Sequence, residues 1–302
     1  MQERILLTGA TGFIGSYVLQ ELLHAGYHVA IILRPESNTW RIKDFLNQVT
    51  VLHADVEQSQ YRKDLETFAP EYLVHLGWQG VENRFRNDHE QINTNMQFTL
   101  NLLRALDATP LKKILGFGSQ AEYGPCSGPI TEDQPTRPTT FYGVAKLSLC
   151  HLMRVYAENR QIEYAWLRIF STYGPKDNAS WMIPSLIQNV RKGLPFDLTK
   201  GEQRWDYLFV TDAARAIVAV LQSTSACGIF NLGSGTALTI RSIAEQIRDV
   251  INPNVQLNFG AIPYRPDQVM YLKADITRLR QLAAWLPTIE FNQGIEQTIA
   301  GT

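Results

Sequence analysis

Gly9, Gly12 and Gly15 recur at a spacing of three and three, between the apolar run Ile5-Leu6-Leu7 and an amphipathic stretch over 14–25. No other feature restricts the fold of this chain as strongly. A chain that passes from strand to helix through such a loop needs a sharp turn and a helix packed tightly on the strand. It also needs backbone free of side chains where a ligand approaches. The helix start offers unpaired N–H groups and the positive end of the helix dipole, which suit a diphosphate. Three glycines in isolation are weak evidence; a strand before them and a helix after make them strong. Gly9, Thr11, Gly12, Phe13, Ile14 and Gly15 are therefore the first candidates for holding a dinucleotide.

The rest of the first half repeats the strand–helix alternation. Apolar runs at 29–33, 49–52, 72–76, 114–116 and 165–169 read as strands, with helical patterns at 93–107 and 142–158 between them. Right-handed crossovers then give an α/β fold, a doubly wound parallel sheet of the Rossmann type, with strands covered on both faces. After Phe170 the pattern breaks. Ser171-Thr172-Tyr173-Gly174-Pro175 reads as a turn cluster, and proline and glycine then recur. The expectation is a smaller, discontinuous C-terminal substrate lobe. It takes residues 171–202 and 233–302, and the dinucleotide-binding unit takes 1–170 and 203–232, with a helix over 209–221 packed back on the sheet.

Composition removes several classes of function. A net charge of −1 over 302 residues gives no basic face for nucleic acid. No apolar run approaches the roughly 20 residues that span a bilayer. Three cysteines, odd in number and far apart, support neither a metal site nor a disulfide framework. No secretory segment is visible at the start, so a reduced cytoplasmic location is expected.

The second strand ends at Leu33, about 20 residues past the glycine loop, where an acidic residue would read the ribose of NAD. This chain has Arg34, with Arg41 and Lys43 nearby, which suits the 2′-phosphate of NADP. NADP(H) is therefore the expected cofactor, with NAD(H) possible. Asp55, after the third strand, is a candidate for the adenine amino group.

Tyr142-Gly143-Val144-Ala145-Lys146 puts a phenol and an ammonium on one helix face, one turn apart. A phenol titrates near 10, and a neighbouring cation favours its ionised form. Ser119 follows a predicted strand, at the end where doubly wound sheets bind ligands. The three fit carbonyl–alcohol chemistry: Tyr142 as general acid or base, Lys146 as tuner and ribose ligand, and Ser119 as holder of the substrate oxygen.

These motifs together resemble the extended short-chain dehydrogenase/reductases of the NAD-dependent epimerase/dehydratase family, which act on nucleotide sugars. Thr8 to Gly15 is similar to T-G-x-x-G-F-I-G, Asn95 to Leu103 to N-V-x-G-T-x-N-L-L, and Gly118 to Gly124 to S-S-x-x-V-Y-G. Tyr142 to Lys146 is similar to Y-x-x-x-K, Arg168 to Pro175 to R-x-x-N-V-Y-G-P, and Val210 to Ala216 to V-D-D-V-A-R-A. Phe230 to Gly235 and Arg265-Pro266-Asp267 resemble Y-N-I-G-S-G and R-P-G-D. The resemblance implies that Val56, Leu76, Gly77, Trp78 and Asn95 border the cofactor. It implies that Gln79, Gln120, Ala121 and Ser171 border the sugar, and that Arg204 and Arg265 grip the nucleotide diphosphate.

Departures from the pattern narrow the reaction that the resemblance implies. Gln120 and Ala121 stand where family dehydratases carry an Asp-Glu pair, and Ala121 where epimerase-reductases carry cysteine. Ser171 replaces the substrate-touching asparagine, and Gly77-Trp78 replaces two alanines. The expectation is NADPH-dependent reduction of a nucleotide-linked 4-keto-6-deoxyhexose. A 4-epimerase is the nearest rival, followed by a small-carbonyl reductase and a non-catalytic NADP-binding protein. Family relatives dimerise through two helices per subunit, here about 93–107 and 142–158, and Leu147, Leu149, Leu152 and Met153 offer apolar surface for such a four-helix contact.

Overall fold

Uninterrupted apolar strands are satisfied only by cover on both faces. The computed structural model, which describes residues 2–54, 58–265 and 268–301, provides it around one seven-stranded parallel sheet. In chain order the first half runs β1 (Arg4–Thr8), α1 (Phe13–His24), β2 (His28–Leu33), β3 (Thr50–His53), α2 (Gln58–Phe68), β4 (Tyr72–His75), α3 (Glu90–Ala105), β5 (Lys113–Ser119), α4 (Phe141–Arg160) and β6 (Glu163–Ile169). The second half adds β7 (Ser171–Tyr173), α5 (Met182–Arg191), β8 (Phe196–Leu198), β9 (Arg204–Phe209), α6 (Val210–Gln222), β10 (Gly228–Leu232), β11 (Ala237–Thr239) and α7 (Ile240–Ile251). It closes with β12 (Leu257–Phe259), β13 (Tyr271–Leu272), α8 (Thr277–Ala283) and α9 (Phe291–Ala300).

The sheet order is β3-β2-β1-β4-β5-β6-β10. The chain winds outward from β1 in one direction and from β4 in the other, so the crevice for a ligand lies beyond the carboxyl ends of these two strands. Their register, Thr8 against His75, fixes that point. Val18, Leu19 and Leu22 of α1 and Ile217 and Leu221 of α6 bury one face, and Leu102, Leu149, Met153 and Trp166 bury the other. Each fully buried leucine or isoleucine stabilises by about 1.5–3 kcal/mol.

Three readings of the sequence change here. The stretch expected as a turn at 171–175 begins as β7, parallel to β9, and turns only at Gly174. Tyr173 packs on Phe209 and Phe291, and this burial draws the segment into a strand. The segment 203–232 divides: α6 and β10 join the seven-stranded sheet, whereas β9 is the centre of a smaller sheet with β7, β11 and β13. In α4, Leu149 and Met153 face the sheet core, not an outer surface. The smaller unit has its own core, in which Ile183, Leu186 and Ile187 of α5 meet Ile243 and Ile247 of α7. Among the described residues no helix is long and apolar enough to cross a membrane, and no three metal-ligating side chains converge.

Candidate active site

The glycine loop leaves room for backbone only. Gly9 has φ +74°, and a Cβ there would lie 2.8 Å from the Gly77 nitrogen. A Cβ on Gly15 would lie 2.0 Å from the Gly9 carbonyl oxygen. Helix α1 is thereby pressed against the ends of β1 and β4. Gly12 is the N-cap and supplies no side-chain cap, so the first-turn amides of Phe13 and Ile14 are left for a ligand. This cradle of donors fits the diphosphate of a dinucleotide. Arg41 steadies it, donating to the carbonyls of Thr11 (3.4 Å) and Lys176 (2.9 Å). Arg34 stands exposed just after β2, its Nε 3.1 Å from Glu36 Oε1. Asp55 and Val56 lie outside the described residues.

A buried chain of hydrogen bonds sets the switch point. Thr99 Oγ donates to the Asn95 carbonyl (3.0 Å). His75 Nε2 lies 2.8 Å from that hydroxyl and must donate to it. Nδ1 is then the acceptor for Thr8 Oγ at 2.8 Å, and Thr8 Oγ in turn receives the Gly77 amide at 2.9 Å. Burial pushes the His75 pKa down to about 3, with the nearby Lys146 charge adding to the effect, so the ring is neutral. Asn95 spends its amide on the backbone: it accepts from Gln79 N (2.8 Å) and donates to the carbonyls of Gln79 and Gln91. It shapes the connection that carries Leu76, Gly77, Trp78 and Gln79.

Ser119 is the last residue of β5, and a Glu122 carboxylate lies directly behind it. Glu122 is fully buried and accepts from Ser119 N (2.9 Å), Trp166 Nε1 (3.1 Å) and Arg168 Nε (2.7 Å). Gly118 makes space for this group, since a Cβ would lie 2.0 Å from its Oε1. Ser119 Oγ accepts from Ala121 N at 3.2 Å and completes a capping box with Glu122. That serine-x-x-glutamate spacing was readable as a cap in the sequence; the buried ion pair with Arg168 was not.

Tyr142 and Lys146 sit on the first turns of α4, which Thr140 caps by accepting from Gly143 N. The Lys146 ammonium is 5.9 Å from the Tyr142 ring centre and donates to the Phe117 carbonyl at 2.8 Å. Trp78 completes the cluster. Its ring lies 3.7 Å below that ammonium and stands edge-on to Tyr142 with centroids 5.9 Å apart. Trp78 Nε1 donates to Gln91 (2.9 Å), which is itself fixed by the carbonyls of Gly80 and Phe85. Burial raises the Tyr142 pKa, while a hydrogen bond from Ser119 and the Arg86 charge pull it down. Burial brings Lys146 down to about 7, against the pull of the Glu122 charge.

The structure thus brings Ser119, Tyr142, Lys146 and Trp78 together, with Gln120 and Ala121 in the turn after Ser119. Ser171 opens β7, immediately after β6 and Phe170. Arg204 and Arg265 belong to the smaller unit, and both are exposed. Arg86 and Gln91 were missed, because they act through packing between distant segments and no local spacing announces them.

The model of the NAD dependent epimerase/dehydratase family matches residues 5–233. The dTDP-6-deoxy-L-talose 4-dehydrogenase (NAD(+)) of Aggregatibacter actinomycetemcomitans is 28% identical over 264 residues, covering 86% of this chain and 95% of that one. The UDP-glucose 4-epimerase of Corynebacterium glutamicum is 27% identical over 303 residues, covering 94% and 91%. The structure of UDP-glucuronic acid 4-epimerase from Bacillus cereus, in complex with UDP-glucuronic acid and NAD, has a TM-score of 0.85 at 27% identity and covers 99% of this chain and 98% of that chain.

Proposed function

The chain belongs to the NAD-dependent epimerase/dehydratase family, and from that premise we propose that it is a nucleotide-sugar 4-ketoreductase that uses NADPH in preference to NADH. The observation that carries this reading is the Ser119–Tyr142–Lys146 set beside a turn that offers no further acid or base. Gln120 and Ala121 cannot exchange protons with a sugar carbon, and Glu122 is sealed off by Ser119, Trp166 and Arg168. Proton chemistry at a neighbouring sugar carbon is thereby disfavoured and hydride transfer at C4 is left, and Arg34 after β2, suited to an exchanged NADPH, favours net reduction.

A bound nicotinamide dinucleotide supplies the hydride. The glycine loop would hold its diphosphate, and Lys146 and the Leu76–Gln79 backbone would border it. Ser119 and Tyr142 hold the 4-keto oxygen of the sugar, and Tyr142 gives it a proton as C4 gains the hydride. The product is the alcohol, and solvent returns a proton to Tyr142. Holding both reactants in reacting geometry is worth about 7–11 kcal/mol. Arg204 and Arg265 grip the nucleotide diphosphate through their planar forks. The ion pair of Arg34 with Glu36 is exposed, and such pairs contribute about 0–1 kcal/mol, so a 2′-phosphate displaces Glu36 easily. Pairing of two subunits through α3 and α4 belongs to the same reading, supported by the exposed side chains Ile92, Val144 and Val155 on those helices.

A 4-epimerase is the second reading, favoured by the several 4-epimerases among the similar proteins and structures. The two separate on what the protein carries and consumes. Purified protein is denatured and its supernatant assayed for NAD. Fresh protein is then mixed with NADPH or NADH and a nucleotide-linked 4-keto-6-deoxyhexose. Empty sites with stoichiometric NADPH oxidation support the reductase, and near-stoichiometric retained NAD with no net oxidation replaces it by the epimerase. Tyr142→Phe lowers the reductase kcat by about 10²–10⁴-fold while dinucleotide binding stays within a few fold.

A further inference from the structure

The connection between β4 and α3 brings a second cation to the catalytic tyrosine. The Arg86 carbonyl accepts the Tyr142 amide at 2.9 Å, and the Asn87 side chain accepts the Phe141 amide at 3.3 Å. The first amides of a helix have no partners within it. The connection therefore caps α4, and the cap fixes Arg86 relative to Tyr142 through backbone, whatever the side chains do. The guanidinium carbon lies 5.4 Å from the centre of the Tyr142 ring. Arg86 Nε is buried and has no hydrogen-bond partner. A buried donor left unpaired is unfavourable, and this one belongs to a guanidinium set against the Tyr142 ring.

Lys146 is a different kind of cation. Its ammonium is shared between the Phe117 carbonyl and the Trp78 face, and burial brings its pKa to about 7. A guanidinium keeps its charge.

We propose that Arg86 is a positioning residue for proton transfer, its permanent charge held at the Tyr142 ring by the cap on α4 so that the phenolate is favoured by a second cation besides Lys146. The proposal rests on Tyr142 being the proton-transfer group, and it says nothing of the sugar. The groups facing Tyr142 are Arg86 and Trp78 from the β4–α3 connection, Ser119 and Glu122 from the turn after β5, and Lys146 from its own helix. Trp78 and Ser119 carry no charge. Glu122 opposes the phenolate, and its charge is balanced by Arg168 at 2.7 Å. Among the described residues, Arg86 is the guanidinium that faces Tyr142, and backbone holds it there.

The test reads the phenol directly. The protein is labelled with 3,5-difluorotyrosine, which brings phenol titration into the range where the chain is folded, and followed by ¹⁹F NMR from pH 5 to pH 10. Tyr142→Phe assigns the signal. Arg86→Gln is expected to raise the Tyr142 midpoint by about one pH unit, a tenfold fall in its acid constant. Arg86→Lys, which restores a charge at the same backbone position, is expected to recover most of that shift. The other fluorine signals report that each variant is folded. A midpoint unmoved in Arg86→Gln, an Arg86→Lys variant shifted as far as Arg86→Gln, or a wild-type Tyr142 that does not titrate in the range would each overturn the proposal. No substrate enters the experiment. A failed reductase assay with a shifted midpoint removes the ketoreductase reading and leaves Arg86 in its role.

Discussion

Behind Ser119, Glu122 is fully buried and receives hydrogen bonds from Ser119, Trp166 and Arg168, whereas Arg204, at the start of β9, stands exposed. In the first, the carboxylate has its donors before any ligand arrives. It cannot turn elsewhere without stranding a guanidinium in the interior. The second is open, with a long side chain free to adapt to what binds. The difference matches the two tasks proposed for them. Hydride and proton transfer tolerate little displacement of the reacting groups, so their supports are locked. Holding a flexible diphosphate does not need that, and arginine side chains ordered by the ligand suffice.

The comparison breaks most visibly at Glu122. Glu122→Ala leaves Arg168 buried without its partner, a cost of about 3–5 kcal/mol. Urea denaturation should show that loss. A variant as stable as the parent would mean that the buried pair is not a structural lock. The next test is pH. His75 titrates at about 3 in the folded chain against an ordinary value of 6.5, its pKa depressed mainly by burial. The folded state binds this proton less readily than the unfolded chain. The stability His75 contributes is therefore intact above pH 6.5 and declines as pH falls toward 3. Between pH 7 and pH 5 the loss is about 2 kcal/mol. His75→Gln, which keeps hydrogen-bonding groups and does not titrate, should lose less over the same interval. The smallest effect belongs to the open side. Arg204→Ala should raise the KM for the nucleotide sugar about tenfold, roughly 1.4 kcal/mol, with kcat and thermal stability little changed. A fall in kcat without a change in KM would place Arg204 among the locked groups.

Legibility in the sequence follows the same division between local and distant causes. The glycine loop is local: a turn, a strand and a helix within a dozen residues or so, each demanding glycine for its own steric reason. The Tyr142–Lys146 pair is local too, one turn on one helix. The surplus of apolar residues on α4 was visible, but helical periodicity does not say which of them meet the sheet, and Leu149 and Met153 turned inward. β7 was hidden because Ser171 and Thr172 carry little apolar signal, and the segment is drawn into a strand by Tyr173 packing on Phe209. Arg86 had no signal, since its meaning arises only where the β4–α3 connection closes over the start of α4. The surroundings of the phenol divide in the same way: proximity of Lys146 was readable, and the burial of Tyr142 and the Arg86 charge beside it were not.

The indole of Trp78, 3.7 Å from the Lys146 ammonium, has a consequence for observation. A full charge at that distance perturbs the excited state of an indole, so the emission of Trp78 depends on where the charge is and whether it is there. A molecule that draws Lys146 away, or a change in pH that neutralises it, alters the fluorescence of this residue. The site carries its own optical probe, placed beside the Lys146 ammonium.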